Sequence, residues 1–294
     1  MAVRSWLFVP ADSEKKLGKA LETGADVLIL DLEDSVVAAN KAIAREMARG
    51  WLDLNRDAGR DGRRVGRWVR INALDTQAWR DDLISVMPGR PDGIMLPKAA
   101  GPDSVLQVAA ELYELEQRHG IAPGSTRILP LVSETALAAL GIAQYATAAL
   151  PRLAGLTWGA EDLSAAIGAT RKRDQHGAWT DTFRYVRSQT LLTAHARGVL
   201  AIDTLHADFA DLKGLKLAAE DSRADGFAGM LAIHPAQVPL INQAFTASAE
   251  ELDEARAIVE AFAANPTAGA LQIDGKMIDR PHLALARRVL GIED

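Results

Sequence analysis

Residues 4–36 read RSWLFVPADSEKKLGKALETGADVLILDLEDSV. Two short apolar runs, Trp6–Val9 and Val27–Leu32, flank the stretch Ser13–Thr23, which is long enough for about three helical turns. Runs of four to six Val, Ile and Leu residues suit strands buried on both faces. Two parallel strands need a crossover between them, and a helix supplies it. The same alternation continues outward. Strands are expected at Arg67–Ile71, Gly93–Pro97, Ile128–Val132, Gly155–Trp158, Leu200–Thr204 and Met230–Ile233. Helices are expected at Ala39–Leu54, Gln77–Val86, Asp103–His119, Thr135–Ala149, Thr182–Arg197 and Leu212–Asp225. Eight strands with intervening helices favour an α/β (β/α)₈ TIM barrel over an open doubly wound sheet, for which five would suffice. Helices at Glu250–Ala264 and Arg280–Leu290 follow the last strand. Residues 1–245 are therefore expected to form the catalytic barrel, and 246–294 a C-terminal helical extension that serves as an oligomer contact or lid.

Composition narrows the chemistry. The 294 residues are 48% apolar and 24% charged, with a net charge of -6. That balance argues against a nucleic-acid partner. With no cysteine there is no disulfide, thiolate metal site or Cys nucleophile. No apolar run approaches the roughly 20 residues of a membrane span, and the N-terminal apolar run is too short for a signal peptide. A cytoplasmic protein without membrane contact is the expectation.

Active sites in such barrels gather at the C-terminal ends of the strands. The residues expected there are Asp31, Glu33 and Asp34; Arg70; Lys98; Ser133 and Glu134; Glu161 and Asp162; Asp203; and His234. Carboxylates converging on one spot repel one another unless a cation sits among them. Hard oxygen donors suit Mg²⁺, and without Cys and with scattered His a zinc site does not fit. An arginine beside such a metal can grip a substrate carboxylate. Any one of these acids can equally be a helix N-cap. His234 is the one histidine at a strand end, and Trp158 reads as a packing residue.

The opening stretch resembles the citrate lyase β-subunit-like family of the HpcH/HpaI aldolase superfamily. VRINALDT (69–76), IMLPKA (94–99), LVSETALA (131–138), WGAEDLSAAIGA (158–169), ADFADLKGL (207–215), IHPAQV (233–238) and DGKMIDRPHLALARRVL (274–290) extend the resemblance over nearly the whole chain. It implies a Mg²⁺-dependent carbon–carbon lyase that splits a 3-hydroxyacyl-CoA acid, such as malyl-, citramalyl- or citryl-CoA, into an acyl-CoA and an α-keto acid. Glu134 and Asp162 would be the metal ligands and Arg70 the carboxylate clamp. Glu33 and Asp34 would act with Asp31 around the metal-bound waters, and Asp279 would come from a neighbouring subunit to move a proton. That last role implies an oligomer, and the resemblance implies a homotrimer or a hexamer.

For the CoA phosphates the sequence offers Lys15, Lys16 and Lys19, or Arg171, Lys172 and Arg173, with Lys98 nearer the barrel mouth. Either cluster can equally be a solvated face. Two departures stand out: Ala11 where relatives often carry Gly, and Met230 where many carry Lys. Met230 is expected to remove a positive charge near the mouth. The competing readings are a class II pyruvate aldolase on free hydroxy-keto acids, a malyl-CoA thioesterase, and a subunit that needs an acyl-carrier protein.

Overall fold

The computed structural model describes residues 3–60 and 62–292. Eight parallel strands occur where the apolar runs place them: β1 Ser5–Pro10, β2 Val27–Asp31, β3 Gly66–Arg70, β4 Gly93–Leu96, β5 Arg127–Pro130, β6 Gly155–Thr157, β7 Leu200–Asp203 and β8 Gly229–Ala232. Their order in the sheet is β5-β4-β3-β2-β1-β8-β7-β6. The two ends meet, because Ile128 N–H donates to Arg152 O at 2.8 Å, Ala154 N–H to Ile128 O at 2.9 Å and Val132 N–H to Thr157 O at 3.0 Å. A sheet that closes has no exposed edge to protect.

Strand alternation sorts the side chains into two cores. Leu7, Val9, Leu28, Leu30, Val69, Ile94 and Ala201 face outward, into the layer shared with the helices. Trp6, Val27, Ile29, Trp68, Met95, Leu129, Ile202 and Leu231 face inward and fill the barrel. Inside, Trp6 and Trp68 meet edge to face with centroids 5.0 Å apart. Gly93 is the register partner of Trp68, and a Cβ there would lie 2.5 Å from the indole ring, so the close approach of the ring needs a glycine.

The helices follow the expected stretches, from Glu14–Lys19 to Leu212–Asp225. Two were not anticipated: Ala160–Ile167, directly after β6, and Val238–Ala244, after β8. Ala11 has no left-handed backbone, and its methyl group is buried, so it fits without strain. The expectation for Met230 is corrected. It sits second in β8, and its side chain faces outward into the layer under the helices, not toward the mouth.

By internal contacts the chain divides into Met1–Phe245 and Thr246–Asp294. The second unit packs helix Ala249–Ala264 with helix Arg280–Val289 and a hairpin, Ala270–Ile273 with Lys276–Asp279. Its turn, Asp274-Gly275, has positive φ at both residues, the geometry that tight hairpins require. The hairpin stands where the sequence reading saw only a break between helices. Among the described residues no helix is long and apolar enough to cross a membrane.

Candidate active site

The inward phase of β2 runs Val27, Ile29, Asp31, and that of β3 runs Trp68, Arg70. The period that buries tryptophan in the barrel thus delivers an acid and a base to its mouth one step later. They are register partners. Arg70 Nε donates to Asp31 Oδ1 and Nη2 to Oδ2, both at 2.7 Å. Nη1 lies 2.9 Å from Glu33 Oε2. Two of the five guanidinium N–H groups are thereby committed to hydrogen bonds and Nη1 is ion-paired with Glu33, leaving donors for a ligand. The guanidinium also lies over the Phe8 ring, 4.7 Å from its centroid. Paired with Arg70, Asp31 stays ionised well below the usual carboxylate range despite its burial.

Past β2 the chain turns around Asp31, whose Oδ1 accepts from Glu33 N at 3.0 Å and whose Oδ2 accepts from Ser35 N at 3.3 Å. Behind this turn Lys41 donates to the carbonyls of Leu32 and Glu33, each at 2.6 Å. Nothing in the sequence singled out Lys41. The turn presents Glu33 to Lys98, with Nζ 2.7 Å from Glu33 Oε1 and 3.5 Å from Asp34 Oδ1. Burial pushes the Glu33 carboxyl up. The carboxylates in turn hold Lys98 firmly protonated.

Lys98 has left-handed backbone, with φ 49, unusual for a non-glycine residue. In that conformation its N–H points at Glu134 and donates to Oε2. Glu134 follows β5, and Asp162 lies in the first turn of helix Ala160–Ile167 after β6. The two loops are stitched by Gly159 N–H donating to Ser133 Oγ at 3.1 Å. A Cβ on Gly159 would lie 3.3 Å from Glu134 Cγ, so the missing side chain makes room for the acid. Burial, reinforced by Asp162 and Glu33, pushes the Glu134 carboxyl up to about 8. Glu134, Asp162, Asp31 and Arg70 share the lining of one cavity of about 180 Å³ at the barrel mouth, with Phe8, Thr204, Leu205, Leu231 and Ile233.

The remaining candidates lie elsewhere. Lys98 is bound into the acid cluster but does not line the cavity, and Lys16 sits exposed on helix Glu14–Lys19. Lys172 pairs with Glu161, and Arg173 covers the Trp179 ring at 3.7 Å. Asp203 does not belong to the acid ring. Ile202 faces in, so Asp203 faces out, where it accepts from Trp158 Nε1 (2.7 Å), Arg187 Nε (2.9 Å), Ser222 Oγ (2.7 Å) and Thr204 N (2.8 Å). Strand phase was the signal available for that distinction. His234 caps the turn Pro235–Gln237 and stacks on Phe209 at 5.1 Å. In the C-terminal unit, Asp279 caps helix Arg280–Val289, with its Oδ1 2.5 Å from His282 Nδ1. That contact keeps its carboxyl below the ordinary range.

The donor set suits a hard divalent cation. Among the described residues, five carboxylates (Asp31, Glu33, Asp34, Glu134 and Asp162) stand with three cations, Arg70, Lys98 and, behind the β2 turn, Lys41. A buried glutamate beside an aspartate keeps its proton unless a cation replaces it. Among the described residues no three His, Asp or Glu side chains close a metal cage by themselves. Mg²⁺ is commonly held by one or two carboxylates, with water and substrate completing the shell.

The sequence pattern of the HpcH/HpaI aldolase/citrate lyase family matches residues 4–235. A citrate lyase subunit beta-like protein of Mycobacterium tuberculosis is 39% identical over 285 residues, covering 97% of this chain and 93% of that protein. A (3S)-malyl-CoA thioesterase of Cereibacter sphaeroides is 32% identical over 290 residues, covering 98% and 93%. The crystal structure of CitE from M. tuberculosis in complex with magnesium, acetoacetate and coenzyme A superimposes with a TM-score of 0.77 at 38% identity, covering 99% of this chain and 98% of that one. With the barrel, the ordered motifs and matches of this length in agreement, the chain belongs to the HpcH/HpaI aldolase/citrate lyase family.

Proposed function

We propose that this protein is a Mg²⁺-dependent lyase that cleaves the CoA thioester of a 3-hydroxy acid into an acyl-CoA and a small α-keto acid. One observation carries the reading: Glu134 and Asp162 converge from neighbouring strand ends on a cavity that Arg70 also lines. Glu134 and Asp162 would hold the ion. Bound there, it supplies Lewis acidity that favours negative charge on the oxygen destined to become the keto group.

The chain's own groups do the rest. Arg70, locked by Asp31 and Glu33, offers its remaining N–H donors to the substrate carboxylate and fixes the reacting carbon in place. The hydroxyl proton leaves to a carboxylate, with Glu33 and Asp34 the candidates on the β2 turn. The bond between the hydroxyl carbon and the thioester α-carbon breaks, and its electron pair passes to the α-carbon. A proton delivered to that carbon completes the acyl-CoA. Asp279, from the C-terminal unit of a neighbouring copy, is the proposed exchanger. Held as a carboxylate by His282, it is suited to take a proton from the acyl-CoA methyl group in the condensing direction.

Malyl-, citramalyl- and citryl-CoA assayed with and without Mg²⁺, both fragments being identified, test the lyase. Cleavage that needs Mg²⁺ and yields a keto acid supports it. Turnover confined to free hydroxy-keto acids points to an aldolase. The thioesterase relative gives hydrolysis a specific claim, and malyl-CoA decides it, since malate would mean hydrolysis and glyoxylate carbon–carbon cleavage. Mixing inactive Asp162→Asn and Asp279→Asn chains tests the shared site, because only a site built from two copies regains activity in the mixed oligomer.

A further inference from the structure

The mouth of the barrel is divided by strand. The charged groups stand on β2 and β3 and on the loops after β4, β5 and β6. The opposite arc, β7, β8 and β1, is continuous through the β8–β7 and β8–β1 pairings. It lines the cavity with Leu205, Leu231, Ile233 and Phe8, and with Thr204 as its one hydroxyl-bearing side chain. Leu231 and Phe8 hold the inward phase of their strands, and Leu205 packs on the same inner core. Arg70 is the one basic side chain lining the cavity among the described residues, and it already faces Asp31 and Glu33. Phe8, at the start of the apolar arc, lies directly against the Arg70 guanidinium.

We infer that this arc selects the substituent on the hydroxyl-bearing carbon, accepting hydrogen or a small alkyl group and rejecting a second carboxylate. The inference rests on the lyase reading and narrows its substrate class. A carboxylate gripped by Arg70 places its neighbouring carbon beside Phe8, so the other substituent of that carbon turns toward Leu205, Leu231 and Ile233. A methyl group there loses water to an apolar wall, a gain of about tenfold. A carboxymethyl group would bring a full charge to a wall whose one polar side chain is the neutral Thr204 hydroxyl and which holds no cation, so most of its desolvation would go uncompensated. Leu205, Leu231 and Ile233 are thus the specificity-determining residues, and the acid released is a monocarboxylic keto acid.

The test uses the full-length, Mg²⁺-loaded protein. kcat/KM is measured for thioesters whose hydroxyl carbon carries hydrogen, methyl or carboxymethyl: malyl-, citramalyl- and citryl-CoA. The expected order puts methyl first and carboxymethyl last, at least about a hundredfold below methyl. Citryl-CoA turned over as well as citramalyl-CoA would overturn the inference. Ile233→Lys, at a half-exposed position that leaves room for a long side chain, should raise the citryl-to-citramalyl ratio at least about tenfold. An unchanged ratio in a folded variant counts against the arc. Calorimetry of pyruvate and oxaloacetate binding to the Mg²⁺-loaded wild type provides a separate readout. If none of the thioesters is cleaved, the lyase reading fails, while tighter binding of pyruvate still supports the arc and tighter binding of oxaloacetate refutes it.

Discussion

The two rims of this barrel treat charge in opposite ways. At the N-terminal ends of the strands, basic and acidic groups match. Arg4 grips Asp26 through Nε and Nη2 at 2.8 and 2.9 Å. Arg67 meets Asp92, which also accepts from Arg67 N. Arg152 holds Glu116 through two contacts, at 2.7 and 2.6 Å, while Gly124 N and Thr126 N donate to the same carboxylate. At the C-terminal ends, five carboxylates outnumber the three cations beside them, Arg70, Lys98 and Lys41, and Glu134 is held near neutrality by burial. A rim whose charges are matched stabilises the fold and asks for nothing from outside. A rim with surplus buried carboxylate is complete only with a cation, and that surplus marks it as the working end.

The largest expected effect comes from removing surplus charge at the upper rim. Glu134→Gln or Asp162→Asn should lower Mg²⁺-dependent turnover by at least about a thousandfold, worth about 4 kcal/mol. The metal-free protein should melt no lower than wild type, and higher at alkaline pH. The sign follows from Glu134. Its carboxyl is raised from an ordinary value to about 8 on folding, so the metal-free fold binds a proton that the unfolded chain gives up. That stabilising contribution is fully present below the unfolded value and is lost as pH rises toward about 8. The advantage of Glu134→Gln over wild type should therefore grow across this window and level off above it, as chemical denaturation at several pH values would show. A variant that stays active, or one whose advantage ignores pH, would remove the contrast between the rims.

The lower rim should answer in the opposite sense. Arg152→Met leaves Glu116 buried without its partner and should cost about 3–5 kcal/mol of stability. Turnover per folded molecule and Mg²⁺ affinity should not move. Denaturant midpoints together with a Mg²⁺ titration separate the two.

Arg70→Lys sharpens the picture within the upper rim. The fork that spans Asp31 Oδ1 and Oδ2 cannot be made by a single ammonium group. About a hundredfold loss in kcat/KM is expected, arising from weaker keto-acid binding and looser placement of substrate. If binding of pyruvate to the Mg²⁺ form is unchanged, the clamp assigned to Arg70 is wrong.

The eight strands were legible because a strand buried on both faces leaves a short apolar run, as Val27–Leu30 shows. The acids and bases at their ends were legible as candidates, but not their orientation. Asp203 and Glu134 both follow apolar runs, yet one faces helices and is saturated, while the other faces the cavity. Strand phase, counted from the inward Ile202, places Asp203 outward, but it says nothing of Glu134, which lies past the end of β5 where the loop sets its direction. The role of Lys41 was out of reach, since its partners are backbone carbonyls that carry no side-chain signature. The division of the mouth into charged and apolar arcs depends on which strands are neighbours, and closure of the sheet decides that.

The smallest effect is expected at Ala11, where the family resemblance leads one to expect glycine. If the rim needed a flexible or left-handed residue there, alanine would be strained and Ala11→Gly would stabilise. The backbone at Ala11 is not left-handed, its methyl group is buried, and its N–H donates to Asp31 O at 3.1 Å. Glycine would give up the buried methyl and gain freedom in the unfolded chain, so a loss of about 0.5–1 kcal/mol is expected. The carbonyl that Ala11 binds belongs to Asp31, whose side chain holds Arg70, so substrate preference should stay as it is while the melting temperature falls slightly. A gain in stability, or a shift in preference among the CoA thioesters, would show that the departure at Ala11 reshapes the site.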